Sequence, residues 1–164
     1  MGKNKLNPLA FTLIEILVIV TIITIVTGIG LAYYNDDNHR KNLFKEQRKL
    51  VDVLSLARKK TMANDDQNHS CTDFQGYQVN VVNANSYSMT LCCDASCIGI
   101  QTYNLISDVV FQTITTSLQF KPITLNVNPA ETFTLRNSAL SNKCVQVTVS
   151  SAGVISTSDI ISCP

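Results

Sequence analysis

From Phe11 to Ala32 the chain carries a single ionisable side chain, Glu15, in an almost unbroken apolar run. A helix rising about 1.5 Å per residue would carry that run over about 33 Å. The hydrocarbon core of a bilayer is about 30 Å thick. The segment is therefore long enough to cross a membrane, and it holds a carboxylate near one end. A charge at depth costs roughly 2.5–3.5 kcal/mol on insertion scales, so an acid there asks for a function. The plainer reading is an ordinary N-terminal anchor in which Glu15 is incidental.

The residues before Phe11 are polar, with Lys3 and Lys5 and no acid. A secretory signal places its small-residue cleavage site after an apolar core of about 7–15 residues. Here the small residue at a plausible junction, Ala10, precedes the apolar run, and no Ala-x-Ala motif follows it. A cut between Ala10 and Phe11 would leave the hydrophobic segment on the mature protein.

At 164 residues the chain allows one domain. From Asn35 to about Ala63 the pattern is helical. Leu43, Leu50 and Ala57 form one seven-residue series, Phe44 and Val51 lie beside it, and Leu54 and Thr61 fill the neighbouring row. Lys and Arg occupy the opposite face. Nucleic-acid binding is disfavoured there, because aromatic side chains are not interleaved with the basic ones. After Asn64 the period switches to two: Tyr77–Val82, Tyr87–Leu91, Val109–Ile114, Phe133–Leu135 and Val145–Val149 alternate, with polar clusters between them. Ser151-Ala152-Gly153 reads as the turn joining the last two strands. One long helix followed only by strands makes an α+β chain, with an antiparallel sheet packed on the helix.

Six cysteines, Cys71, Cys92, Cys93, Cys97, Cys144 and Cys163, all lie beyond the helix. An even number outside a membrane anchor favours disulfides, and six cysteines allow 15 pairings. A zinc site built from Cys71 with Cys92, Cys93 and Cys97 is the competing reading. Adjacent strand residues point to opposite faces, which suits one tetrahedral site poorly. No nucleophile, phosphate-loop or metalloprotease motif is present, so no catalytic residue, metal or cofactor is assigned. His39, in a polar stretch, and His69, in the helix–strand loop, read as solvated.

The run Ala10-Phe11-Thr12-Leu13-Ile14-Glu15, continued by Ile16-Leu17-Val18-Ile19-Val20, resembles the signal of type IV prepilins and pseudopilins. The family usually has Gly where this chain has Ala10. Leu54 to Met62, Gly76-Tyr77-Gln78-Val79, Leu118-Gln119-Phe120 and Cys144 to Val149 with Gly153-Val154-Ile155 are similar to the GspH/FimT group of minor pseudopilins. Two positions depart from that group, Thr61 for Ala and Phe74 for Trp.

The resemblance implies a leader at 1–10, a transmembrane and assembly helix at 11–34, its amphipathic continuation at 35–66 and a disulfide-bearing head at 67–164. It implies cleavage between Ala10 and Phe11 by a prepilin peptidase, N-methylation of Phe11, and a need for Glu15 in assembly. An α-amine with a pKa near 7.7–8 is mostly charged at neutral pH, so the Phe11 amine of one subunit has a partner in Glu15 of another. Cys144–Cys163 resembles the C-terminal loop closure of pilins, which leaves four cysteines to pair among themselves.

The implied function is a structural subunit of a type II secretion or type IV pilus-like filament. Its partners would be other pilin-like subunits, an inner-membrane assembly platform and membrane lipid, with the head outside the cytoplasm. The positive-inside rule alone argues the reverse, because Arg40, Lys41, Lys45, Arg48 and Lys49 outnumber Lys3 and Lys5. A major or DNA-uptake pilin is the near alternative. A membrane-anchored binding or redox domain using Cys92, Cys93 and Cys97 is the distant one.

Overall fold

Leu43, Leu50, Leu54 and Ala57 are all completely buried, and Thr61 nearly so. They lie on one face of the helix α1 (Leu13–Met62), and the apolar core of the strands that follow packs against that face. The computed structural model describes residues 12–66, 71–94, 96–114, 116–124, 126–127 and 129–164, without the side chains of 29–33. The chain divides into two compact units, Met1–Asp37 and Asn38–Pro164.

In the second unit, α1 ends in a motif set by Asn64, which takes φ 51°. The Asn64 amide donates to the Thr61 carbonyl at 3.2 Å and the Asp65 amide to Lys60 at 3.1 Å. This is the Schellman arrangement, with Asn in the left-handed position that Gly more often fills. Lys60 then closes on Asp65 at 2.6 Å.

Nine strands follow among the described residues. They are β1 (Phe74–Asn83), β2 (Ser86–Cys93), β3 (Ser96–Asn104), β4 (Val109–Phe111), β5 (Ser117–Phe120), β6 (Glu131–Asn137), β7 (Lys143–Val149), β8 (Ile155–Thr157) and β9 (Ile161–Ser162). They form two antiparallel sheets rather than the single sheet expected. One has the order β3-β2-β1-β5, the other β4-β6-β7-β8, with β9 also on β7. Alternation reveals strands but not their partners, which is why the second sheet was not foreseen. Gly153, at φ 72°, turns β7 into β8, and β9 follows them.

Both sheets share one apolar core. Tyr77, Val79, Tyr87, Met89 and Leu91 enter it from the first sheet, and Phe133, Leu135, Val145, Val147 and Val149 from the second. Tyr87 meets Phe111 edge-on at 5.8 Å, which joins the two sheets through their rings. The helical face is not wholly apolar. Gln47 is buried, and its Nε2 donates to the carbonyls of Gln146 and Ser158, both at 2.9 Å. Those partners lie about a hundred residues away, so the helical period could not announce them.

The contact between α1 and β1 depends on two neighbouring residues. The β1–β2 register shifts between Phe74 and Gly76. Gly76 takes φ +99°, and a Cβ there would strike the Phe120 carbonyl and lie 3.2 Å from Thr61 Cγ2. The shift turns the Tyr77 amide toward the helix, where it donates to Thr61 Oγ1 at 3.1 Å. Thr61 in turn donates to the Ala57 carbonyl at 2.9 Å. Thr61, which departs from the GspH/FimT pattern, thus ties the end of the helix to the backbone of β1.

Gly76→Ala should therefore destabilise the head by more than about 2 kcal/mol. Gly99→Ala, where a Cβ meets nothing within 4 Å, should stay within about 0.5 kcal/mol. Thr61→Val keeps the shape but removes the buried bond to the Tyr77 amide, at an expected cost of about 1–3 kcal/mol. Urea titrations of the detergent-solubilised chain compare all three; equal midpoints for Gly76→Ala and Gly99→Ala would refute the steric argument.

Candidate functional site

The first unit presents an exposed apolar surface among its described residues. Leu13 is 84% exposed, Ile14 70% and Val26 64%, and Leu17, Ile22, Ile23 and Ile25 are exposed as well. A surface of that kind marks a protein or membrane contact. Its threonines are satisfied within the helix. Thr21, Thr24 and Thr27 donate back to the carbonyls of Leu17, Val20 and Ile23, one turn earlier. Such back-bonding hides a hydroxyl that an apolar surrounding would otherwise penalise. Among the described residues no helix is long and apolar enough to cross a membrane. The side chains of residues 29–33, and Ala10 and Phe11 altogether, lie outside what the structure describes.

Glu15 sits in the first turn of α1 and is exposed. Its amide donates to Thr12 Oγ1 at 3.3 Å and to the Thr12 carbonyl at 3.1 Å. Thr12 is therefore the N-cap and Glu15 the third helical residue, the spacing of a capping box. A carboxylate here also faces the positive end of the helix dipole. The Thr12-x-x-Glu15 spacing carries this signal in the sequence, but the apolar run drew attention to the charge alone.

The second unit holds a polar junction around Asp108. Its Oδ2 accepts from Asn137 Nδ2 at 2.8 Å, from Asn42 Nδ2 at 3.2 Å and pairs with His39 Nδ1 at 2.9 Å. Asn137 Nδ2 also reaches the His39 carbonyl at 3.3 Å. The junction ties the start of the head's portion of α1 to the turn before β4 and to the end of β6. His39 is thus not the solvated histidine expected from its polar neighbours, and its partner lies 69 residues away. His69 lies outside the described residues. Burial pushes the Asp108 carboxyl upward, but bonds from His39, Asn137, Asn42 and its own backbone amide outweigh that and hold it below the usual range.

The three bridges are Cys71–Cys93, Cys92–Cys97 and Cys144–Cys163, with Cα separations of 5.5, 4.0 and 5.0 Å. No free cysteine remains. Cys93 faces the core and fastens the segment after α1 onto β2, while Cys92 faces the other way and bridges β2 to β3. Cys144–Cys163 fastens the chain after β9 to the start of β7. Among the described residues no cluster of three or more His, Cys, Asp or Glu could hold a metal ion.

The helix cations line an open groove of about 860 Å³ with Lys41, Lys45, Arg48 and Lys49, but Asp52 and Asp159 share it. Lys49 is already engaged by the Asn104 carbonyl at 2.8 Å and by the buried Glu46 at 3.5 Å. The face is mixed in charge, not a continuous basic track of the kind that follows a nucleic-acid backbone.

No protein-family model matches the chain, and no curated protein sequence is detectably similar. Among solved structures it is similar to the type IV minor pilin FimU of Pseudomonas aeruginosa. The TM-score is 0.55 at 13% identity, over 73% of this chain and 90% of that one. The chain has a type IV pilin-like fold.

The lowered Asp108 carboxyl fixes a sign. A carboxylate held below its unfolded value, near 3.9, stabilises the fold above that pH and loses the contribution as pH falls through the folded value. Head stability should therefore drop more steeply below about pH 4 in the parent than in Asp108→Asn. At neutral pH the variant should be weaker by about 1–3 kcal/mol. Chemical denaturation at pH 7 and pH 3.5 provides the check, and parallel pH profiles would remove Asp108 as the cause.

Proposed function

We propose that this chain is a structural subunit of a pilin-like filament, of the minor pseudopilin or minor pilin kind, serving a type II secretion or type IV pilus-like machine. The observation that carries the reading is the helix whose apolar side chains stand uncovered, in a chain with a pilin-like fold. A helix of this kind is stable only inside a bilayer or against other helices like it. The reading places residues 11–34 in the inner membrane and the head outside the cytoplasm. Three bridges in the head support an oxidising location. A span needs about 20 apolar residues, and the sequence continues apolar from Gly28 to Ala32.

On this reading a prepilin peptidase cuts before Phe11, and the new amine is N-methylated. The subunit waits in the membrane and enters the filament through an assembly platform. There the Phe11 amine of one subunit pairs with Glu15 of another. The pair removes an uncompensated charge from a bundle of apolar helices. Between Ser151 and Pro164 there is no Lys or Arg, which counts against the DNA-uptake version of a pilin.

Intact mass of protein extracted from membranes with an active prepilin peptidase should correspond to a methylated chain beginning at Phe11. The role of Glu15 needs two substitutions, because it also stands at the capping-box position of the Thr12 cap. Glu15→Gln keeps a side chain suited to that box and removes the charge; Glu15→Ala removes both. Both variants should reach normal membrane levels with an intact head. Both should enter sheared filaments about tenfold or more below the parent, in keeping with a buried pair losing one partner. Glu15→Asp should fall between. Normal incorporation of Glu15→Gln would show that the charge is not the docking group.

A further inference from the structure

The two bridges that meet at the adjacent residues Cys92 and Cys93 differ in one chemical respect. Cys93, Cys92 and Cys144 are buried, and Cys71 and Cys163 are half-buried. Cys97 alone among the six is exposed, on β3, the edge strand of its sheet. We propose that Cys92–Cys97 is the thiol-exchange site of the head, open to a small thiol or to a dithiol oxidoreductase, while the other two bridges, each with one buried and one half-buried cysteine, exchange more slowly.

Exchange requires a thiolate to reach a disulfide sulfur, so access decides which bridge reacts and at which atom. The incoming thiolate bonds to Cys97 Sγ. The Cys92–Cys97 bond breaks, its electron pair leaves on Cys92 Sγ, and that thiolate takes a proton from water. Cys97 is left in a mixed disulfide with the reagent. A second thiolate, from the same dithiol or another thiol, attacks the reagent's sulfur and releases Cys97 as a thiol. Two electrons pass to the bridge, and the reagent leaves as a disulfide.

The strand geometry confines the reaction. Cys92 and Cys97 are directly paired across the β2–β3 ladder, and Cys93 pairs with Ser96 one step on. Successive side chains on a strand point to opposite faces. Cys92 Sγ, 3.7 Å from Gln78 Oε1, is therefore turned away from the Cys71–Cys93 bridge beside it in sequence. Opening loosens only what Cys97 holds. From Ser96 to Gly99 every residue is exposed, Ile98 by 44%, so beyond the β2–β3 ladder itself the bridge is the tie that holds that part of β3 to the head. The inference is about the head's own chemistry and does not rest on the filament reading.

The test uses the full chain in detergent at neutral pH. It is exposed to limiting dithiothreitol, quenched with iodoacetamide at intervals and mapped by mass spectrometry. Cys92 and Cys97 should acquire label together, about tenfold sooner than the other four cysteines. With glutathione as the probe, the trapped adduct should sit on Cys97 and not on Cys92. Opening of Cys71–Cys93 or Cys144–Cys163 first, simultaneous opening of all three, or an adduct on Cys92 would each overturn the proposal. The double variant Cys92→Ser/Cys97→Ser should lose the fast phase and keep the slow ones. Should that variant not fold, the adduct position on the parent chain decides alone.

Discussion

The head depends on the burial of one face of α1. Leu43, Leu50, Leu54 and Ala57 give two separate antiparallel sheets a common floor. Neither sheet is a closed structure, and each needs that floor to remove its inner face from water. Bonds from the helix then fix where the sheets stop. Thr61 holds the beginning of β1, Gln47 holds β7 and the segment after β8, and His39 with Asn42 holds the turn before β4. The apolar stripe supplies the gain, while these polar side chains select one alignment of helix and strands among the several that apolar contact alone would tolerate.

That division of labour accounts for what the sequence made legible. The stripe was readable because its period is local, and so were most strands, because alternation is local too. β3 was not. It is an edge strand exposed on nearly every side chain, with a register shift opposite Met89 and Thr90, so Ser96–Asn104 carries no period of two. The buried Glu46 and Gln47 and the His39–Asp108 junction were hidden for a different reason. Gln47, His39 and Asp108 are satisfied by groups distant in sequence, and Glu46 by Lys49 one turn on, a pairing that a solvated helix face would also show.

The candidate site divides along the same line. The motif at Ala10-Phe11 and Glu15 is contiguous and stands out in sequence, but its role lies between molecules. What a single chain reveals is the local part: Thr12 caps the helix by accepting from the Glu15 amide. The cap holds the carboxylate at the helix end, and in the proposed filament a neighbouring amine would meet it there.

The opposite facing of Cys92 and Cys93 has a consequence for how the chain reaches its oxidised state. Six thiols offer 15 complete pairings and four offer 3. Cys92 and Cys97 are separated by only 5 residues and lie opposite each other as soon as the β2–β3 hairpin forms. Closing so short a loop costs little chain entropy. Once it closes, Cys93 points the other way, and the search shrinks fivefold before any distant part of the chain has to arrive. Adjacent cysteines would ordinarily be a source of scrambled products; on a pleated strand they become a sorting device that hands each thiol a different side of the sheet.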